Sequence, residues 1–339
     1  MKAMILAAGY GTRLRPLTYS RPKPMVPICN RPLLGYAVEG FIRAGVDEIV
    51  VNLHHLPEII EKYLTKAYGD QVKFDFSYES EILGTGGGVR KVRAILESEE
   101  EFFLVNGDTI QFPPYERLRE ARREKDALAA LTLRHPPEGD RFTAVWFQDG
   151  HITGFGKGVG EPLMFSGSHL ISTRVYRHIP DKDFSGIVDE VYQPMIAKGK
   201  ETIAAVVDDG PWFDIGTPQR YITAARDVLD MTLSGDIPVV RGSRIMTESV
   251  VDQTASIHGL AVRSSVGARS FIKGVVRESV VGANCRVATG ALIESCILGD
   301  GVEINRPLEI RNAVICRDDS DIPRDDNYRY ENGLVILEF

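Results

Sequence analysis

From about residue 240 onward the chain loses helical periodicity and takes up a six-residue rhythm, one aliphatic residue followed by small and polar ones. Examples are Val262-Arg263-Ser264-Ser265-Val266-Gly267, Val281-Gly282-Ala283-Asn284-Cys285-Arg286, Val287-Ala288-Thr289-Gly290-Ala291-Leu292 and Leu298-Gly299-Asp300-Gly301-Val302-Glu303. Repeats of this length suit a parallel β-helix, in which each hexad forms one flat side and its aliphatic residue points into a core that no single repeat could bury. Because the rhythm is imperfect, an irregular β-sandwich is the competing arrangement. Only a few coils fit, and the closing apolar run, residues 334–339, is placed to cover an open end.

The preceding 230 residues have a different texture. Apolar runs at 4–8, 49–53, 72–78 and 102–105 read as strands, and helical spacing marks residues 33–42, 57–67 and 89–96. Buried apolar strands separated by helices imply a doubly wound, mostly parallel α/β sheet covered on both faces, with ligands beyond the carboxyl ends of the strands. Residues 127–133, 144–147 and 163–171 read as further strands, and 188–198 and 218–233 as helices, giving an antiparallel or mixed insertion. At roughly 150 residues per domain, the 339 residues divide into a Rossmann-like domain over 1–235 and a hexapeptide-repeat domain over 236–339.

Composition narrows the function. A hydrophobic fraction of 43% supports a packed core, and a formal net charge of −7 supplies no general basic field for a nucleic-acid backbone. Cys29, Cys285, Cys296 and Cys316 form no CxxC pair, which fits a reducing cytoplasm rather than a zinc site or disulfide framework. No stretch approaches the roughly 20 apolar residues a membrane span requires, and the apolar run near Met1 is too short for a signal sequence. The expectation is a cytoplasmic protein with neither nucleic-acid nor membrane partners.

The chemistry concentrates at strand ends. Leu6-Ala7-Ala8-Gly9-Tyr10-Gly11-Thr12-Arg13-Leu14 opens a strand into a glycine-bearing loop, where backbone N–H groups can face a phosphate. Lys2, Arg13, Arg15, Arg21, Lys23 and Arg31 precede the first acidic residue, Glu39. An ordinary strand-to-helix turn explains the glycines but not these cations. The dinucleotide fingerprint fails at Leu14, and no GK[ST] follows the second glycine. Asp108 follows a strand in Asn106-Gly107-Asp108, and Asp214 lies in Trp212-Phe213-Asp214-Ile215-Gly216-Thr217-Pro218. Such carboxylates can hold Mg²⁺ together with substrate phosphates, although turn formers and caps are commoner roles for Asp. At the second motif Thr217, before Pro218, is the better helix cap. Gly84-Thr85-Gly86-Gly87-Gly88 could let a planar base lie on bare backbone. His54 and His55 lack ligand spacing and receive no role.

These motifs, taken in order with Phe165-Ser166-Gly167, resemble the signature of the nucleoside-diphosphate-sugar pyrophosphorylases, or sugar-1-phosphate nucleotidyltransferases, over about the first 230 residues. The hexad tail resembles the left-handed β-helix many members carry. The resemblance implies Mg²⁺-assisted transfer of a nucleoside monophosphate from an NTP to a sugar 1-phosphate, with release of pyrophosphate. By that match Ala8, Gly9, Gly11 and Thr12 contact the nucleotide, Arg13 neutralises the leaving pyrophosphate, and Lys23 sits at the α-phosphate. Asp108 and Asp214 are the matching metal ligands. Glu81, Thr85, Gly86 and Gly87 match the base site, and Asn106, Lys157 and Gly167 the sugar site.

Two departures bear on specificity. Gly156-Lys157 replaces the Glu-Lys pair of many relatives, and the glycine tract lacks the glutamine with which thymidylyltransferases read a pyrimidine. The tract looks closer to mannose-1-phosphate guanylyltransferases, the preferred reading, and to uridylyltransferases for N-acetylmuramic acid 1-phosphate or other hexose 1-phosphates. Two readings from other classes are an acyltransferase working in the β-helix through His258 and a catalytically silent regulator that binds sugar nucleotides. The solenoid's aliphatic hexads and edges also suggest a homo-oligomer.

Overall fold

The computed structural model describes residues 1–139, 142–319 and 321–339, which form two compact units. One comprises Met1–Gly9 and Leu34–Trp212, the other Tyr10–Leu33 and Phe213–Phe339. The cation-rich N-terminal segment thus packs with the C-terminal third of the chain.

The first unit is built on a nine-stranded sheet. Its strands are β1 (Lys2–Leu6), β2 (Glu48–Leu53), β3 (Lys73–Tyr78), β4 (Glu101–Asn106), β5 (Ala129–Arg134), β6 (Val145–Gln148), β7 (His151–Phe155), β8 (Glu161–Ser172) and β9 (Ile203–Val207), in the order β3-β2-β1-β4-β8-β5-β9-β7-β6. The first four strands pair in parallel, while β8 runs antiparallel to both β4 and β5. Ala3, Met4 and Ile5 are fully buried, as a central strand with both faces covered requires. Register aligns Leu6 with Asn52 on one side and Asn106 on the other. Two polar side chains therefore flank the carboxyl end of β1, the edge where such sheets bind ligands.

The helices are α1 (Leu33–Arg43), α2 (Pro57–Tyr68), α3 (Gly84–Lys91), α4 (Arg93–Leu96), α5 (Tyr115–Glu124), α6 (Gln193–Ala197) and α7 (Pro218–Ser234). The run expected at 89–96 begins earlier, at Gly84, and breaks at Val92. Its glycines enter a helix because the N–H groups of Gly86 and Gly87 donate to the Ser185 carbonyl at 2.8 and 3.2 Å. The helix expected at 188–198 opens with a π-helical turn, Val188–Tyr192, before α6. The expected strand cores at 4–8, 49–53, 72–78 and 102–105 fall within or beside β1 to β4.

In the second unit the hexad region winds into three parallel sheets. One side stacks Ser249–Asp252, Ser265–Val266, Val280–Val281, Ile297–Leu298 and Ala313–Arg317. The three-sided stack excludes the sandwich. Val250 pairs with Ser265 and Val280 with Ile297, so coils advance by 15 or 17 residues, which accounts for the uneven rhythm. Val251, Val266, Val281, Leu298 and Ile315 fill one core column, each at most 2% exposed. Beside it runs a ladder of buried hydroxyls. Ser249 accepts the Ser264 N–H at 3.1 Å, Ser264 that of Ser279 at 3.1 Å, and Ser279 that of Cys296 at 3.0 Å. Leu334–Glu338 pairs antiparallel with Ala313–Arg317 and closes that edge.

Candidate active site

In the second unit the glycine loop is fixed by its own motif. Gly11 has φ +63°, and its carbonyl accepts the Leu14 N–H at 3.0 Å and the Thr18 hydroxyl at 2.9 Å. A Cβ on Gly11 would lie 2.8 Å from Cβ of Lys23 and 3.2 Å from Cγ2 of Thr18, so both conformation and space demand glycine. Lys23, only 6% exposed, opens a 3₁₀ turn, Lys23–Met25, with Pro22 and Pro24 on either side. Met25 N–H donates to the Pro22 carbonyl at 2.8 Å and Val26 N–H to that of Lys23 at 3.1 Å. Gly9, Thr12 and Arg13 are exposed, and the space where Gly9 would carry a side chain is open. The loop thus offers bare backbone and a guanidinium to solvent above a locked lysine turn.

Arg13 and Asp214 approach the same point of that unit. A Cβ on Gly216 would lie 3.0 Å from Nη1 of Arg13 and 2.9 and 3.1 Å from the two Asp214 oxygens. Nη1 of Arg220 donates to Oδ2 of Asp214 at 2.5 Å. The cap of α7 is Thr217, whose hydroxyl accepts the Arg220 N–H at 3.3 Å, so Asp214 is free of a capping role.

In the first unit a buried relay ties the end of β1 to the glycine tract. The Ala7 N–H donates to Oδ1 of Asn52 at 2.7 Å, and Nδ2 of Asn52 donates to Oε1 of Glu79 at 2.9 Å. Oε2 of Glu79 accepts the Leu83 N–H at 3.0 Å, and Glu79 is 5% exposed. A Cβ on Gly88 would stand 3.2 Å from this carboxylate, so the third consecutive glycine clears room for it. Ala8 follows the relay, nearly buried.

Thr85, Gly86 and Gly87 pack beneath residues 183–187. The Thr85 hydroxyl accepts the Ile187 N–H at 2.8 Å, and a Cβ on Gly86 would meet Oγ of Ser185 at 2.8 Å. Glu81 is exposed at the approach to the tract. The ring of Phe184, 60% exposed, lies where a Gly84 Cβ would be 3.1 Å away. Asn106-Gly107-Asp108 turns about the end of β1, with the Gly107 N–H donating to the Leu6 carbonyl at 2.9 Å and Asp108 half-buried.

Asn106 and Gly167 are neighbours in this unit. Gly167 has φ +95°, and a Cβ there would stand 2.5 Å from Nδ2 of Asn106. Gly167 lies in an irregularity of the β8–β5 pairing between Phe165 and His169. Behind it His169 is buried, packs against Phe165, and shares a 3.0 Å hydrogen bond between its Nδ1 and the Tyr192 hydroxyl. Burial pushes the imidazole pKa down to about 3 and keeps the ring neutral. Lys157 is exposed in the glycine-rich turn after β7.

Sequence reasoning passed over Asn52, Glu79 and Arg220. Their signals were slight: one amide inside an apolar strand, one acid just past a strand, and one cation six residues beyond Asp214. Among the described residues no group of three or more His, Cys, Asp or Glu could hold a metal ion. No helix is long and apolar enough to cross a membrane among the described residues.

Residues 2–231 match the family model described as nucleotidyl transferase, and residues 243–326 the one described as GlmU-like, C-terminal hexapeptide. The chain is 31% identical to "Mannose-1-phosphate guanylyltransferase 1" of Arabidopsis thaliana, across 99% of this chain and 96% of that protein. With the "Mannose-1-phosphate guanylyltransferase catalytic subunit beta" of Danio rerio the identity is 29%, again across 99% and 96%. A solved structure, that of HddC from Yersinia pseudotuberculosis, superposes with a TM-score of 0.55 at 26% identity, covering 67% of this chain and 99% of the other.

Proposed function

Given that the chain belongs to the nucleotidyl transferase family and carries a GlmU-like hexapeptide region, we propose that it transfers GMP from GTP to mannose 1-phosphate, forming GDP-mannose and pyrophosphate. The observation that carries this reading is the interlock of Gly11, Thr18 and Lys23, a cationic turn locked beside an open, glycine-bearing phosphate loop. The guanylyl and mannosyl choice is supported by the names of the full-length relatives.

The attacking oxygen belongs to a phosphate already anionic at neutral pH, so no general base is required. It bonds to the α-phosphorus as the bond to the bridging oxygen of the β-phosphate breaks, and the electron pair leaves with pyrophosphate. Catalysis then rests on alignment and charge neutralisation. Lys23 stabilises charge on the α-phosphate and Arg13 takes up that of the leaving group. Backbone at Ala8, Gly9 and Gly11 and the Thr12 hydroxyl orient the triphosphate. Glu81, Thr85, Gly86 and Gly87 are assigned to the base, and Asn106, Lys157 and Gly167 to the sugar.

The hard carboxylate oxygens of Asp108 and Asp214 suit Mg²⁺. With no larger acidic cluster among the described residues, its other ligands would be phosphates and water. When bound it neutralises phosphate charge. The four cysteines are buried free thiols, in keeping with a cytoplasmic setting, and the solenoid is the surface through which copies would associate.

The test is Mg²⁺-dependent pyrophosphate release with each of the common NTPs against a panel of sugar 1-phosphates. GTP with mannose 1-phosphate should give the highest kcat/KM. A preference for UTP with another hexose 1-phosphate would replace that pair, and silence across the panel would reject the transferase reading.

A further inference from the structure

The turn carrying Lys23 is braced by the solenoid of its own unit. Nη1 of Arg21 donates to the Met25 carbonyl at 3.1 Å, closing over the turn from outside, and Nη2 of the same guanidinium pairs with Oδ2 of Asp300. Asp300 is itself anchored, because its Oδ1 accepts the Ala283 N–H of the preceding coil at 2.8 Å. Neighbouring contacts hold the rest of the segment. Nδ2 of Asn30 donates to the Val266 carbonyl and to Oγ of Ser243, each at 3.0 Å, and a Cβ on Gly299 would lie 3.6 Å from Cδ1 of Leu17. Arg21 is the one side chain here that grips both the lysine turn and a coil through its two terminal nitrogens.

We propose that Arg21 and Asp300 are positioning residues for Lys23, so that a hexapeptide coil sets the placement of the ammonium group at the α-phosphate. The role assigned to Lys23 rests on the transferase reading above. The pair is partly exposed, 22% at Arg21 and 45% at Asp300, and pairs of that kind contribute little to folding. Its value lies in geometry, since small displacements of a catalytic group are costly in rate. Guanidinium is the suitable cation because its planar fork serves two acceptors at once, which a single ammonium on a flexible stem does less rigidly.

The test uses the full chain and two readouts. In Asp300→Asn, kcat for pyrophosphate release should fall about tenfold, with KM for the NTP changed less than about twofold. In a Lys23→Ala background the same substitution should cause no further fall, because the two act through one group. Arg263→Gln breaks the solenoid's pair with Asp230, away from the lysine turn, and should leave kcat unchanged. Independently of activity, amide exchange at Met25 and Val26 should quicken about tenfold in Asp300→Asn, while β2 exchanges as in wild type. Unchanged exchange at Met25 and Val26, or an undiminished loss in the Lys23→Ala background, overturns the proposal. If the wild-type chain releases no pyrophosphate with any pair, the transferase reading falls and the exchange rates alone decide whether the brace exists.

Discussion

Arg13 and Asp214, 201 positions apart in the chain, converge on the missing side chain of Gly216, whose Cβ would stand 3.0 Å from the guanidinium and 2.9 Å from the carboxylate. A cation assigned to pyrophosphate and an acid assigned to Mg²⁺ thus share one glycine-sized gap. Gly216→Ala should separate them by a few tenths of an ångström and lower kcat about tenfold. Because both neighbours are ends of long or half-buried side chains, the melting temperature should move little, which parallel kinetics and calorimetry would check.

Neutralising the proposed electrostatic groups should separate turnover from folding. Asp108→Asn and Lys23→Ala should each lower kcat by about 10²–10³, the range for removing a preorganised charge partner from a transition state. Circular dichroism melts should stay cooperative in Asp108→Asn, since that substitution preserves shape at a half-buried position. Wild-type activity in the asparagine variant would remove Asp108 from the metal site.

The phosphate loop should be intolerant of a single methyl group. Gly11→Ala places a side chain at φ +63° and 2.8 Å from Cβ of Lys23, combining backbone strain with a clash. The expected cost is about 1–3 kcal/mol, measurable by urea denaturation. Gly9→Ala meets open space and should cost less than about 1 kcal/mol.

Acid stability should carry the signature of His169. Its folded pKa is depressed to about 3 from an ordinary 6.5, so below 6.5 the unfolded imidazole takes a proton that the folded one refuses. Stability from this group is therefore intact at neutral pH and lost as pH falls toward 3, with a slope of up to about 1.4 kcal/mol per pH unit. Denaturation at pH 7 and pH 5 should show a larger drop in wild type than in His169→Gln. Equal drops would mean that the ring is protonated in the fold.

Sheet and solenoid were legible where burial and period coincide. Met4, Ile5, Val50 and Leu104 lie in continuous apolar runs because both faces of their strands are covered, and the hexad aliphatics mark the solenoid core. What escaped depends on contacts distant in sequence. The start of α3 at Gly84 is invisible to propensity, since glycine disfavours helix, and it forms because Ser185 receives two of its N–H groups. The charged helix α5 offers few apolar residues, with Leu118 its fully buried one. Among site residues, Thr217 was legible as the cap before Pro218 from local chemistry. Asn52 and Glu79 were not, because a buried amide–carboxylate relay has no spacing to recognise. The association of Tyr10–Leu33 with the C-terminal unit is likewise a matter of tertiary packing.

That association dictates an order of events during synthesis. Arg21 leaves the ribosome early, but Asp300, its partner, is made 279 residues later, and the acceptors of Asn30 lie more than 200 residues on. Such distant pairings close late, after more local structure has formed. A nascent chain can therefore assemble most of its nucleotide-facing sheet while the lysine turn still lacks its brace, and the last coils to be translated complete the catalytic loop that was translated first.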